Sequence, residues 1–147
     1  MGVEKFGRTS IYKHPNPERK VSMNYQKHTD RFVSSDGKTA VSYYTYVPQN
    51  MEPKAILQIS HGMCEFIERY EDFAAFLCDN GFIVCGNDHL GHGNSIASEE
   101  DLGYFGEENG YEYLVTDLYK TMTIVRKSYP NLPYFMLGHS MGSFVAR

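Results

Sequence analysis

The sequence predicts an α/β architecture: an antiparallel edge hairpin, then parallel strands with helices on both faces. Three observations predict it. Short, predominantly apolar runs occur at Ala55–Ile59, Phe82–Cys85 and Tyr134–Leu137. Longer segments with a 3.6-residue apolar period alternate with them, and one Asp-Gly turn precedes them all. Strands without polar alternation are buried on both faces, which requires helices above and below a parallel sheet.

The elements follow in order. Residues 1–30 read as a polar N-terminal arm and residues 31–147 as one structural unit. Arg31-Phe32-Val33 leads into Ser34-Ser35-Asp36-Gly37, and Thr39 to Val47 then alternates. Asp-Gly between two β-rich runs marks a hairpin, because glycine accepts a positive φ. Val41, Tyr43, Thr45 and Val47 share one face of that strand, and Ser42, Tyr44 and Tyr46 the other; Pro48 ends it by removing a ladder donor. Arg69–Asn80 carries Tyr70, Phe73, Ala74 and Leu77 on one helical stripe, with acids at its start and Gly81 just past its end. Tyr113–Tyr129 reads as a second helix, with Leu114, Leu118, Met122 and Val125 on one face and Pro130 closing it. Residues 91–110, rich in Gly and Glu, form one irregular surface connection.

Composition excludes several classes of function. The 147 residues are 41% hydrophobic and 22% charged, with a net charge of -4, an ordinary globular balance. No basic run exceeds Arg19-Lys20, so no nucleic-acid footprint is visible. No stretch approaches the roughly 18 apolar residues of a membrane helix. Met1 to Lys20 lacks the apolar core of a signal peptide, and Phe6 stands where myristoylation wants Ser or Thr. Cys64, Cys78 and Cys85 are an odd set without framework spacing, which points to reduced thiols and a cytoplasmic protein.

The chemistry concentrates at three places. Gly138-His139-Ser140-Met141-Gly142 is G-x-S-x-G, preceded by a strand and followed by a helix-like segment. That context predicts a nucleophile elbow, a tight turn that lifts the Ser140 hydroxyl above the sheet. The glycines on either side remove side chains that would collide as strand and helix approach. His61-Gly62-Met63-Cys64-Glu65 follows the earlier strand, and in such a fold the loop there supplies one oxyanion donor while the residue after the nucleophile supplies the other. The backbone N–H groups of Met63 and Met141 are the candidates. Asp88-His89-Leu90-Gly91-His92-Gly93-Asn94-Ser95 offers two histidines and an acid, but no further cluster completes a metal-ligand set. It reads as a turn supporting the oxyanion loop.

These motifs, together with Arg69-Tyr70 and Ser143, resemble the monoacylglycerol lipase and lysophospholipase group of α/β-hydrolases, often grouped with the serine aminopeptidases. The likeness covers roughly residues 30–147. It implies hydrolysis of a carboxylic ester carrying a single acyl chain, through an acyl-Ser140 intermediate and without any cofactor or metal. It also implies that the third and fifth strands are neighbours, so that Met63 and Ser140 meet above their carboxyl ends. Cys64 stands where the group commonly has Gly.

The group orders its triad as Ser, then Asp or Glu, then His. Only Met141 to Arg147 follow Ser140, and they include no acid and no histidine. The sequence therefore reads as an N-terminal portion truncated after the elbow, inactive by itself because a serine hydroxyl needs a base. The partner expected beside the lipid or ester substrate is the missing C-terminal half, or a second copy covering the exposed edge of the last strand. The alternatives are a non-catalytic binding or regulatory relative, or a peptidase using the same chemistry.

Overall fold

The computed structural model describes residues 24–147. Five strands, β1 (Tyr25–Val33), β2 (Ala40–Pro48), β3 (Ala55–Ser60), β4 (Phe82–Asn87) and β5 (Tyr134–Gly138), form one sheet in the order β1-β2-β4-β3-β5. β1 pairs antiparallel with β2, and β2 antiparallel with β4; β4, β3 and β5 run parallel. Helices α1 (Glu71–Asp79), α2 (Gly110–Ser128) and α3 (Met141–Val145) connect and cover them. This is the N-terminal part of an α/β-hydrolase fold, with the expected neighbours β3 and β5 in register from Ile56 opposite Tyr134 to Ser60 opposite Gly138.

Two layers of core flank the sheet. On one face α1 lays Ala74 and Cys78 against Tyr44, Tyr46, Ile59 and Val84. On the other, α2 packs Val125 over Ile56, Ile83 and Cys85, and its N-terminal half joins Leu114 and Leu118 to Leu90 and Val145. Burial drives the Cys78 thiol up to about 11 and the Cys85 thiol to about 12, so both act as small apolar side chains. Among the described residues no helix is long and apolar enough to cross a membrane.

Three elements differ from the sequence reading. β1 starts at Tyr25, so Tyr25–Asp30 belong to the sheet rather than to a polar arm; residues 1–23 lie outside the described residues. The cause is position: β1 is an edge strand with mostly exposed side chains, and a strand that buries almost nothing has no apolar pattern to read. The β1–β2 connection is six residues long, with the Asp36 carboxylate accepting the Lys38 and Thr39 amides and the Thr39 hydroxyl. Phe73 is exposed, and the buried positions of α1 are Ala74 and Cys78; a single 3-10 turn over Ile67–Tyr70 precedes the helix.

Candidate active site

Ser140 sits at the turn between β5 and α3 with φ 51° and ψ -122°. An L-residue reaches that conformation only at a cost of about 1–3 kcal/mol, which the surrounding structure has to over-determine. The overlap comes from both sides. His139 donates its amide to the Ser60 carbonyl at 3.0 Å, extending the β3–β5 ladder one step beyond the strand. Gly142 and Ser143 then return their amides to the carbonyls of His139 and Ser140. The turn closes so tightly that a Cβ on Gly142 would lie 2.0 Å from the Ser60 carbonyl oxygen. Ser140 remains exposed at the top of the sheet, where open α/β sheets present their ligands.

The loop after β3 reaches the same spot. A Cβ on Gly62 would lie 3.1 Å from the Ser140 Cβ, so the backbone of the His61-Gly62 loop stands directly against the Ser140 side chain. Met63 lies in this loop and is exposed, and Met141 is the first residue of α3, directly after Ser140. Cys64 follows with φ 58° and is exposed, a left-handed position that explains why glycine suits it.

Glu65 joins the two walls. Its Oε2 accepts the Gly62 amide at 2.8 Å, the Tyr70 hydroxyl at 2.8 Å and the His139 Nδ1–H at 2.9 Å, while Oε1 lies 3.6 Å from Arg69. Partial burial pushes its carboxyl upward, but the hydrogen bonds from His139, Gly62 and Tyr70 outweigh this and hold it at about 2. The sequence placed Glu65 in the loop motif without a role, since its partner His139 lies 74 residues away.

A second network lies beneath. Asp88 accepts the amides of Ile67 and Asn94 and the hydroxyl of Tyr44, and burial raises its pKa above the ordinary value. Its carboxylate is spent on framing the loops, as is the Ser95 hydroxyl, which accepts the Ser42 amide and donates to the Asp88 carbonyl. The imidazoles of His61 and His89 lie 4.3 Å apart, and those of His61 and His92 5.5 Å. Burial lowers His61 to about 4 and His89 well below its usual value, so both are neutral. His92 reaches the Leu90 carbonyl with Nδ1 and touches the Met63 sulfur with Nε2 at 3.2 Å. Among the described residues no group of three or more acidic, histidine or cysteine side chains is arranged to hold a metal.

Ser140 is thus a strained residue between two close-approach glycines, set against a loop that brings its backbone to the same point. The model of the family described as serine aminopeptidase, S33, matches residues 51–147. The chain belongs to that family. It is 34% identical to the monoglyceride lipase of Homo sapiens over 114 residues, covering 78% of this chain and 35% of that protein. It is 35% identical to a monoglyceride lipase homolog of Monkeypox virus over 94 residues, covering 64% of this chain and 32% of that protein. Among solved structures, a thermostable carboxyl esterase from Bacillus coagulans in complex with glycerol aligns with a TM-score of 0.75 at 37% identity, over 82% of this chain and 38% of the esterase. The chain thus spans about a third of the length of these two curated relatives.

Proposed function

We propose that this chain carries the nucleophile half of a serine hydrolase acting on carboxylic esters with a single acyl chain, of the monoacylglycerol or lysophospholipid type. The observation that carries the reading is the strained backbone of Ser140, a cost that an ordinary β-to-α turn has no reason to bear. The relatives named monoglyceride lipase and the esterase of similar structure support the ester class.

Ser140 Oγ attacks the ester carbonyl carbon and loses its proton to a base. The carbonyl oxygen gains the negative charge and is held by the amides of Met63 and Met141, and the alcohol leaves with the proton from the base. Water then releases the fatty acid from acyl-Ser140 by the same steps. The described histidines are committed elsewhere. His61 has both nitrogens bonded, His92 contacts Leu90 and Met63, His139 turns Nδ1 to Glu65, His89 is buried, and His28 lies on β1 at the far edge of the sheet. On this reading the base and its acid come from outside residues 24–147, and residues 24–147 alone would hydrolyse esters at no useful rate.

The test is the intact mass of the native protein with a fluorophosphonate probe applied to the same sample. A native chain much longer than 147 residues, labelled at Ser140 and unlabelled in Ser140→Ala, supports the reading. A native chain ending at Arg147 with Ser140 unlabelled overturns it and moves the protein to a binding role.

A further inference from the structure

Gly62 has both of its backbone polar groups held by side chains. Its amide goes to the Glu65 carboxylate at 2.8 Å, and its carbonyl oxygen accepts the Nδ1–H of His61 at 2.8 Å. The other ring nitrogen of His61, Nε2, accepts the amide of His89 at 2.9 Å. A backbone amide only donates, so Nε2 must present its lone pair and the proton must sit on Nδ1. The fold thus selects one tautomer of His61, and that tautomer is the one able to grip Gly62. The ring itself is wholly buried, with the His89 ring tilted against it at a centroid distance of 4.3 Å.

The consequence falls on the next residue. The peptide joining Gly62 to Met63 is trans, so the Gly62 C=O and the Met63 N–H point in opposite directions from one rigid plane. Drawing the carbonyl down toward the buried imidazole turns the Met63 amide up and out, away from the ring. We infer that His61 is a positioning residue that aims the Met63 amide as an oxyanion donor, with the His89 amide acting on it as the tautomer lock. The inference rests on the hydrolase reading for its catalytic meaning, but the geometry it claims is measurable without catalysis.

Two substitutions separate this role from mere packing. His61→Asn keeps a side-chain N–H near the place of Nδ1 and loses the reach to His89. His61→Gln places its amide near the far end of the ring and abandons the Gly62 carbonyl. NMR of the 147-residue chain should find the His61 proton on Nδ1. The Gly62 carbonyl carbon and Met63 amide resonances should stay near wild type in His61→Asn and move in His61→Gln. In the native protein, fluorophosphonate labelling of Ser140 should be about 10- to 100-fold slower in His61→Gln than in His61→Asn, part of the loss seen when a donor is deleted outright. Any other pattern of resonances between the two variants overturns the inference. So does a proton on Nε2 in the wild type, a measurement that decides the matter even if neither variant folds. A wild-type protein that the probe leaves unlabelled sinks the hydrolase reading, while the resonances still judge His61.

Discussion

The two walls of the candidate site are built differently. The wall made by the loops after β3 and β4 is saturated with internal polar contacts: Glu65, Asp88, His61 and Ser95 each join segments distant in sequence, and nearly all are buried. The wall made by β5 and α3 rests on backbone geometry and is open beyond it. Phe135 and Phe144 are 53% and 61% exposed, and β5 pairs on one side only. A polar framework completes itself locally because each donor needs one acceptor at one distance. An apolar edge stays open until another layer covers it. The first wall should therefore fail by losing specific bonds, and the second by changing what it touches.

The largest effect is expected where the walls meet. Gly142→Ala places a methyl group 2.0 Å from the Ser60 carbonyl oxygen and 2.5 Å from that of His61, both backbone atoms that cannot swing aside. The substitution should cost about 3 kcal/mol, the upper end of what overpacking against a rigid site typically costs. Chemical denaturation would measure it. A loss under about 1 kcal/mol would mean that the elbow is looser than its contacts imply.

Acid should break the polar wall next. The Glu65 carboxyl lies at about 2 in the fold against an ordinary value of 4.5, so the unfolded chain takes up its proton first as the pH falls. Its stabilisation is complete above about pH 4.5 and is lost progressively toward pH 2. Wild-type stability should fall through that window, and Glu65→Gln should remove much of the slope. An unchanged slope would show that other carboxylates dominate acid unfolding.

The apolar wall should respond in association rather than in stability. Met136→Lys, on the open strand β5, should change stability by less than about 0.5 kcal/mol, as exposed substitutions do. It should markedly reduce concentration-dependent association of the 147-residue chain in sedimentation velocity, because lysine on an edge strand resists pairing. Unchanged association would place the contact elsewhere.

These two walls were not equally legible in the sequence. The elbow was, because its requirements are local: a strand, two glycines around a serine and a helix lie within a dozen residues. So were β3, β4 and β5 as strands, from their apolar runs; β3 and β4 are buried as those runs imply, whereas β5, at the sheet edge, leaves Phe135 and Met136 exposed. The start of β1 was not, since Tyr25–Asp30 bury only Tyr25. Nor was the place of Glu65, because a carboxylate in a loop motif does not announce a partner 74 residues away. The tautomer of His61 depends on the His89 amide, a contact 28 residues away that only the register of β3 against β4 creates. Local strain can be read from sequence, whereas a polar framework needs the sheet to bring its parts together.

The smallest effect concerns strain that one residue carries without evident return. Cys64 holds φ 58° in the exposed loop beside Met63, where a Cβ costs roughly 1–2 kcal/mol relative to glycine. Cys64→Gly removes that cost, but it also gives the unfolded chain more freedom, which takes back about 0.5–1 kcal/mol. The net gain in stability should therefore be small and positive, up to about 1 kcal/mol, and thermal denaturation can resolve it. Labelling of Ser140 in the native protein adds a second reading. If the strain at Cys64 only tolerates the loop geometry, labelling stays unchanged while stability rises. If it helps to set the Met63 amide, labelling slows even as the fold gains, and the polar wall is then tuned from its exposed side as well as from His61 beneath.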